Sequence, residues 1–246
     1  MAIGRMTYLQ HLEELRRRII VSVIALVVAV GVAYIFAWDI LAIIKEPAGS
    51  INLYYMTPME PFLVRFKLAL FGGVILALPV ILFEVLAFAS PALKRKERSY
   101  TVLIMTMIVV FFAAGVVFGY RFIMPAGISW LLGVAGNQMR PVLSASQYVN
   151  FAGWFLLGLG VSFLTPIFIW LLVLLNVVTP EQLQKHWRYA LIIILLAASI
   201  ITPDWSPVTM VLVAIPMTVL YLLSLGLARM TARRRRTKNQ DIAEAA

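Results

Sequence analysis

The sequence predicts an all-α polytopic membrane protein: six transmembrane helices in a kinked, cupped bundle, with both termini in the cytoplasm. Three observations predict it. Apolar residues fill 62% of the 246 positions and charged residues only 13%, with a mean hydropathy of +0.93; a soluble fold of this length needs far more polar surface. Six apolar stretches, roughly 19–38, 62–88, 101–124, 151–176, 189–201 and 208–227, approach the run of about 20 residues that fits a bilayer interior. Finally, 16 of the 21 basic residues fall in the N-terminal segment, the loops after spans 2 and 4, and the tail, while Lys45, Arg65, Lys67, Arg121 and Arg140 lie in or beside the opposite loops. That asymmetry puts the first set on the cytoplasmic side.

Each stretch is expected to be helical, because lipid offers backbone groups no hydrogen-bond partners. The first apolar run, about 20 residues, exceeds the 7–15 of a signal-peptide core, and no small-x-small site follows, so it reads as a retained helix. Span 5 is short, about 13 residues or about 20 Å against a hydrocarbon core near 30 Å. Either the bilayer thins or partners associate there, or the span begins earlier, within 182–188. Pro79, Pro166 and Pro216 fall inside spans 2, 4 and 6 and predict kinks, which either cup the bundle or reflect ordinary proline usage in membrane helices. Gly115 and Gly119 permit a close helix contact, read as internal packing rather than dimerisation. The organisation is one transmembrane domain, residues 1–228, followed by a basic tail, 229–246.

The chain has no cysteine, which excludes disulfides and thiolate metal sites. No phosphate-binding loop, H-E-x-x-H or G-x-S-x-G motif occurs, and His11 and His186 lack ligand spacing; no cofactor or enzyme activity is expected. Glu84 is the clearest charge inside an apolar stretch, a setting that is costly and often functional. It lies a turn before Phe88, where it can reach the interface or a basic neighbour. Residues 6–18 form an amphipathic pattern, with Tyr8, Leu12, Leu15 and Ile19 on one stripe. Glu13–Arg17 and Glu14–Arg18 are i,i+4 pairs in the favourable order. Self-pairing is thus one reading of Glu14. The other is reception of an incoming guanidinium, which a carboxylate binds bidentately and better than it binds lysine. Glu97, within Lys94-Arg95-Lys96-Glu97-Arg98 after the helix start Ser90-Pro91, is either a solvated loop acid or a second such receptor. The run Arg233–Arg236 is explained by lipid headgroups and topology, not by nucleic acid.

These residues resemble the TatC family, the core membrane subunit of the twin-arginine protein translocase, over about residues 7–228. His11-Leu12-Glu13-Glu14-Leu15-Arg16-Arg17-Arg18 is similar to the family's N-terminal signature. Phe88-Ala89-Ser90-Pro91-Ala92-Leu93 with Glu97 resembles its first cytoplasmic loop, and Thr179-Pro180-Glu181-Gln182-Leu183 its second, where Thr179 and Gln182 also form a capping-box pattern. Pro203-Asp204 and Ala214-Ile215-Pro216 look like its last outer loop and final helix.

The resemblance implies a multi-pass protein of the inner cell membrane that receives twin-arginine signal peptides of folded cargo at Glu14 and Glu97, with Arg16, Phe88 and Arg95 in the same site. Pro47, Pro91 and Asp204 match structural or functional loop positions. The implied partners are TatA and TatB in a multimeric complex, together with anionic lipid, and the implied drive is the proton-motive force. One departure stands out: the family usually places Glu or Gln where Leu164 stands in Phe163-Leu164-Thr165-Pro166, so the partner-helix contact expected at Leu164 lacks its polar side chain and falls to Thr165 or to an acid elsewhere. The alternative function is a small-solute secondary transporter, favoured by the interrupted spans but lacking paired charges at mid-span.

Overall fold

A computed structural model describes residues 8–49, 52–89, 98–134, 136, 138, 141–174, 177–202 and 206–244. Among these, five helices are long and apolar enough to cross a membrane: Leu12–Ile35, Glu60–Phe88, Leu103–Gly133, Ala145–Val173 and Pro207–Met230, with Trp187–Ile201 as a shorter apolar helix. Five of the six expected spans therefore reach crossing length, and the fifth in order is the shorter helix. Their elements are α1 (Tyr8–Ile35), α2 (Ala37–Lys45), β1 (Leu53–Tyr54), α3 (Glu60–Ala89), α4 (Arg98–Phe118), α5 (Met124–Gly133), β2 (Leu143–Ser144), α6 (Ala145–Ser162), α7 (Thr165–Leu174), α8 (Pro180–Lys185), α9 (Trp187–Ile201) and α10 (Pro207–Glu244).

Several boundaries differ from the sequence expectation for local reasons. The first span stops at Ile35, and a turn at Phe36 starts the separate helix α2. The third continues to Gly133 through a π-turn, Gly119–Ile123, in which Met124 N–H donates to Gly119 O, five residues back. Pro125 explains this register: it has no N–H for the carbonyl four residues back, and its ring crowds that carbonyl. The fifth span is truly short. α8 and α9 are separate helices meeting at His186, so α9 has 15 residues, about 22 Å, and of 182–188 only Trp187 and Arg188 extend it. Of the three span prolines, only Pro166 interrupts its helix; α3 and α10 run unbroken through Pro79 and Pro216. Beside Pro166 the Thr165 hydroxyl donates to Ser162 O at 2.7 Å, supplying the carbonyl that proline leaves without an amide donor.

The chain divides into two units, Met1–Val110 with Arg140–Gly153, and Phe111–Met139 with Trp154–Ala246. In the first, α1 and α3 form an antiparallel seam whose closest approach is at Gly73. A Cβ there would lie 2.6 Å from Val30 Cα and 2.4 Å from its Cγ2, so only glycine lets the two backbones meet. In the second, Gly115 and Gly119 face α6: added Cβ atoms would fall 2.8 Å from Leu159 O and 2.8 Å from Leu159 Cδ1. The glycine pair thus serves packing within the chain.

Candidate functional site

The α1–α3 seam sets the geometry of the first site. From Val30 and Gly73 it runs 12 residues back along α1 and 11 forward along α3, about 17 Å at 1.5 Å per residue, to Arg18 and Glu84. Arg18 Nε and Nη2 donate to Glu14 Oε1 at 3.0 and 2.9 Å, and Nη1 donates to Glu84 Oε2 at 2.6 Å. The side chains are 20% (Arg18), 16% (Glu14) and 17% (Glu84) exposed. Partial burial strengthens such charge-assisted bonds and makes an unpaired charge costly. One of the two alternatives raised for each acid appears: Glu14 self-pairs along its helix, and Glu84 has found a basic neighbour. Glu13 and Arg17, the parallel i,i+4 pair, are both exposed.

The other sequence candidates fall around this cluster or outside the described residues. Arg16 is exposed and Phe88 half-buried. Phe88 lies four residues after Glu84 and so shares its face of α3, whereas Arg16, two before Arg18, does not share its face. Glu97, Pro91, Arg95 and Asp204 lie outside the described residues. Pro47 sits in a 3₁₀ turn, Glu46–Ala48, after α2. Leu164 is buried, 1% exposed, and is packed rather than presented. The Thr165 hydroxyl is committed as a donor to Ser162 O. The expected capping box is formed: Gln182 N–H donates to Thr179 Oγ1 at 3.2 Å and Thr179 N–H to Gln182 Oε1 at 3.0 Å. Tyr221 donates to Leu183 O at 2.8 Å, and Arg229 donates to Gln184 Oε1, joining α8 to α10.

At the other end of α3 stands a residue the sequence reading missed. Glu60, 7% exposed, accepts the Met56 N–H at 2.7 Å on Oε2, and the Ser144 hydroxyl and Ser146 N–H at 2.6 and 3.1 Å on Oε1. Ser146 is in the first turn of α6, so the carboxylate caps that helix from another segment and meets the positive end of its dipole. Parallel pairing of Leu53 with Leu143 and Tyr54 with Ser144, Lys67 Nζ donating to Ser146 Oγ at 2.7 Å, and Tyr148 donating to Ile44 O at 2.5 Å complete the lattice. The available signal was Glu60-Pro61 at the head of an apolar run, a helix start with an acid in its first turn. Among the described residues, no three His, Cys, Asp or Glu side chains gather as metal ligands.

Residues 10–216 match the family described as Sec-independent protein translocase protein (TatC). The protein of that name from Carboxydothermus hydrogenoformans is 33% identical over 91% of this chain and 93% of its own length. The one from Aquifex aeolicus is 34% identical over 92% and 96%. The chloroplastic protein of Arabidopsis thaliana is 33% identical over 93% of this chain and 68% of its own length. The fold is similar to a crystal structure of the twin arginine translocase receptor TatC in DDM, with a TM-score of 0.80 and 34% identity over 89% of this chain and 99% of that one.

Proposed function

We propose, from the premise that this chain belongs to the TatC family of Sec-independent protein translocase subunits, that half-buried Glu14 receives the paired arginines of twin-arginine signal peptides. Membership makes the chain a multi-pass membrane component of the twin-arginine translocase, and its fold is that of the translocase receptor. This displaces the small-solute transporter reading. The work such a component does is binding and assembly rather than bond chemistry.

The observation that carries the residue assignment is the guanidinium already seated on Glu14. Arg18 shows that this carboxylate, at this depth, has the reach and geometry to take two N–H donors on one oxygen. A site that holds one guanidinium suits another, and a lysine ammonium, a point charge without the planar fork, fits it less well. Glu97 is the second acid of this reading, with Arg16, Phe88 and Arg95 at its margins, while Pro47, Pro91 and Asp204 shape the loops. The protein sits in the inner cell membrane with both termini in the cytoplasm, works in a multimeric complex with TatA and TatB amid anionic lipid, and moves folded cargo on the proton-motive force. A partner helix meets the α6–α7 break at Thr165 rather than at inward-packed Leu164; Leu164→Glu, whose carboxylate cannot stay in the apolar interior and must turn out beside Thr165, changes TatA or TatB crosslinking there.

The test is functional replacement. In a strain lacking its own TatC subunit, the chain restores export of a folded twin-arginine reporter. Glu14→Gln and Glu97→Gln each remove most of that export while leaving membrane insertion intact. Export retained in both variants overturns the assignment.

A further inference from the structure

Among the described residues, the inner cluster holds two carboxylates and one guanidinium. Glu14 and Arg18 are four apart on α1, and Glu84 arrives from α3. The three side chains carry a net charge of −1, and Arg18 is divided between its partners: Nε and Nη2 on Glu14, Nη1 on Glu84. An arriving guanidinium that takes Oε1 of Glu14, the oxygen that holds both Arg18 donors, displaces Arg18 from it. With nowhere to go, Arg18 would become a charge stranded at partial burial, and that penalty would be subtracted from the binding of the newcomer. Glu84 removes the penalty. It already holds the Nη1 edge of Arg18, so the side chain can give up Glu14 and stay paired.

Resting on the receptor reading above, we propose that Glu84 is a positioning residue of the signal-peptide site. It retains Arg18 while the arginine of the incoming peptide replaces it on Glu14. The exchange takes the cluster from two acids and one base to two acids and two bases, with every charge paired before and after. The intramolecular Arg18 therefore keeps Glu14 compensated in the empty receptor and yields to a guanidinium ligand without leaving an orphan. Glu84 acts only through Arg18 and need not touch the peptide.

That last property gives the test. A fluorescent twin-arginine peptide is titrated against the full chain in lipid nanodiscs, as wild type, Glu84→Gln, Arg18→Gln and the double variant, with Glu14→Gln alongside. Glu84→Gln weakens binding by about fivefold or more, the cost of an uncompensated, partly buried charge. With Arg18 already replaced by Gln, the same change shifts affinity by less than about twofold, because no side chain remains to be retained. A purely structural role for Glu84 would instead weaken binding alike in both backgrounds, and that result overturns the proposal, as does an affinity for Glu84→Gln within about twofold of wild type. If Glu84→Gln yields no folded protein, Glu84→Asp, which keeps the charge but falls short by one methylene, replaces it. It is expected to lose affinity only when Arg18 is present, and an equal loss in both backgrounds again overturns the proposal. Unchanged binding by Glu14→Gln would sink the receptor assignment itself, whereas failure confined to the Glu84 coupling removes only the positioning role.

Discussion

The two ends of α3 hold acids in opposite circumstances. Glu60 is saturated by neutral donors that belong to the fold: two backbone N–H groups and a hydroxyl, drawn from the turn before α3 and from the β2–α6 junction. Glu84, 24 positions further along, and Glu14 beside it share one mobile-ended side chain, Arg18. Backbone donors cannot leave without unfolding the segment that carries them, so the Glu60 lattice is a fixture. A guanidinium on a flexible stem can be exchanged for another of the same kind. Acid burial is similar in character at both ends; what separates structure from recognition is whether the partner can be replaced.

Substitutions at each end of α3 separate the two roles. The largest effect on folding is expected at the fixture. Glu60→Ala leaves the Met56 and Ser146 amides without their acceptor and uncaps α6; it should lower the yield of monodisperse detergent-solubilised protein and reduce Tm more than either substitution that follows. Peptide affinity of the surviving folded fraction should stay at the wild-type level. The seam comes next. Gly73→Ala forces a Cβ against the Val30 backbone, an overpacking cost of about 1–3 kcal/mol. It should also weaken peptide binding, because the same seam brings Arg18 to Glu84. A Tm decrease without any change in binding would show that the inner cluster does not depend on this contact. Tyr148→Phe is milder: it removes one hydroxyl donor from the buried Ile44 carbonyl, costing about 1–2 kcal/mol, visible in thermal unfolding and absent from binding.

Much of the architecture was legible because lipid leaves the chain few choices. Six apolar runs had to be helices. The short fifth span and the internal role of Gly115 and Gly119 followed from length and spacing. The turn at Phe36 has no proline or glycine to mark it, only Asp39 in the first turn of α2, and the π-turn depended on reading Pro125, just past the end drawn for span 3. At the inner site, the i,i+4 spacing gave Glu14–Arg18, and burial cost singled out Glu84. Their meeting was hidden because it depends on the register of α1 against α3, which Gly73 sets and no local pattern encodes. Glu60 was hidden for the same reason: Ser144 and Ser146 are 84 and 86 residues away, and only the tertiary fold brings them to its carboxylate. Leu164 shows the converse. Its identity stood out against the family pattern, but its inward packing was a matter of which way the interrupted helix turned.

Glu14, as proposed, is an exchangeable guanidinium receptor. Its most direct test is an equilibrium titration of the full chain in nanodiscs with a twin-arginine peptide and with the same peptide carrying two lysines, for wild type and Glu14→Gln. This reading predicts that wild type prefers the arginine peptide by about fivefold, the advantage of the planar guanidinium fork over a lysine point charge, and that Glu14→Gln loses most of this preference while its Tm stays near that of wild type. An arginine preference left intact by Glu14→Gln would contradict it.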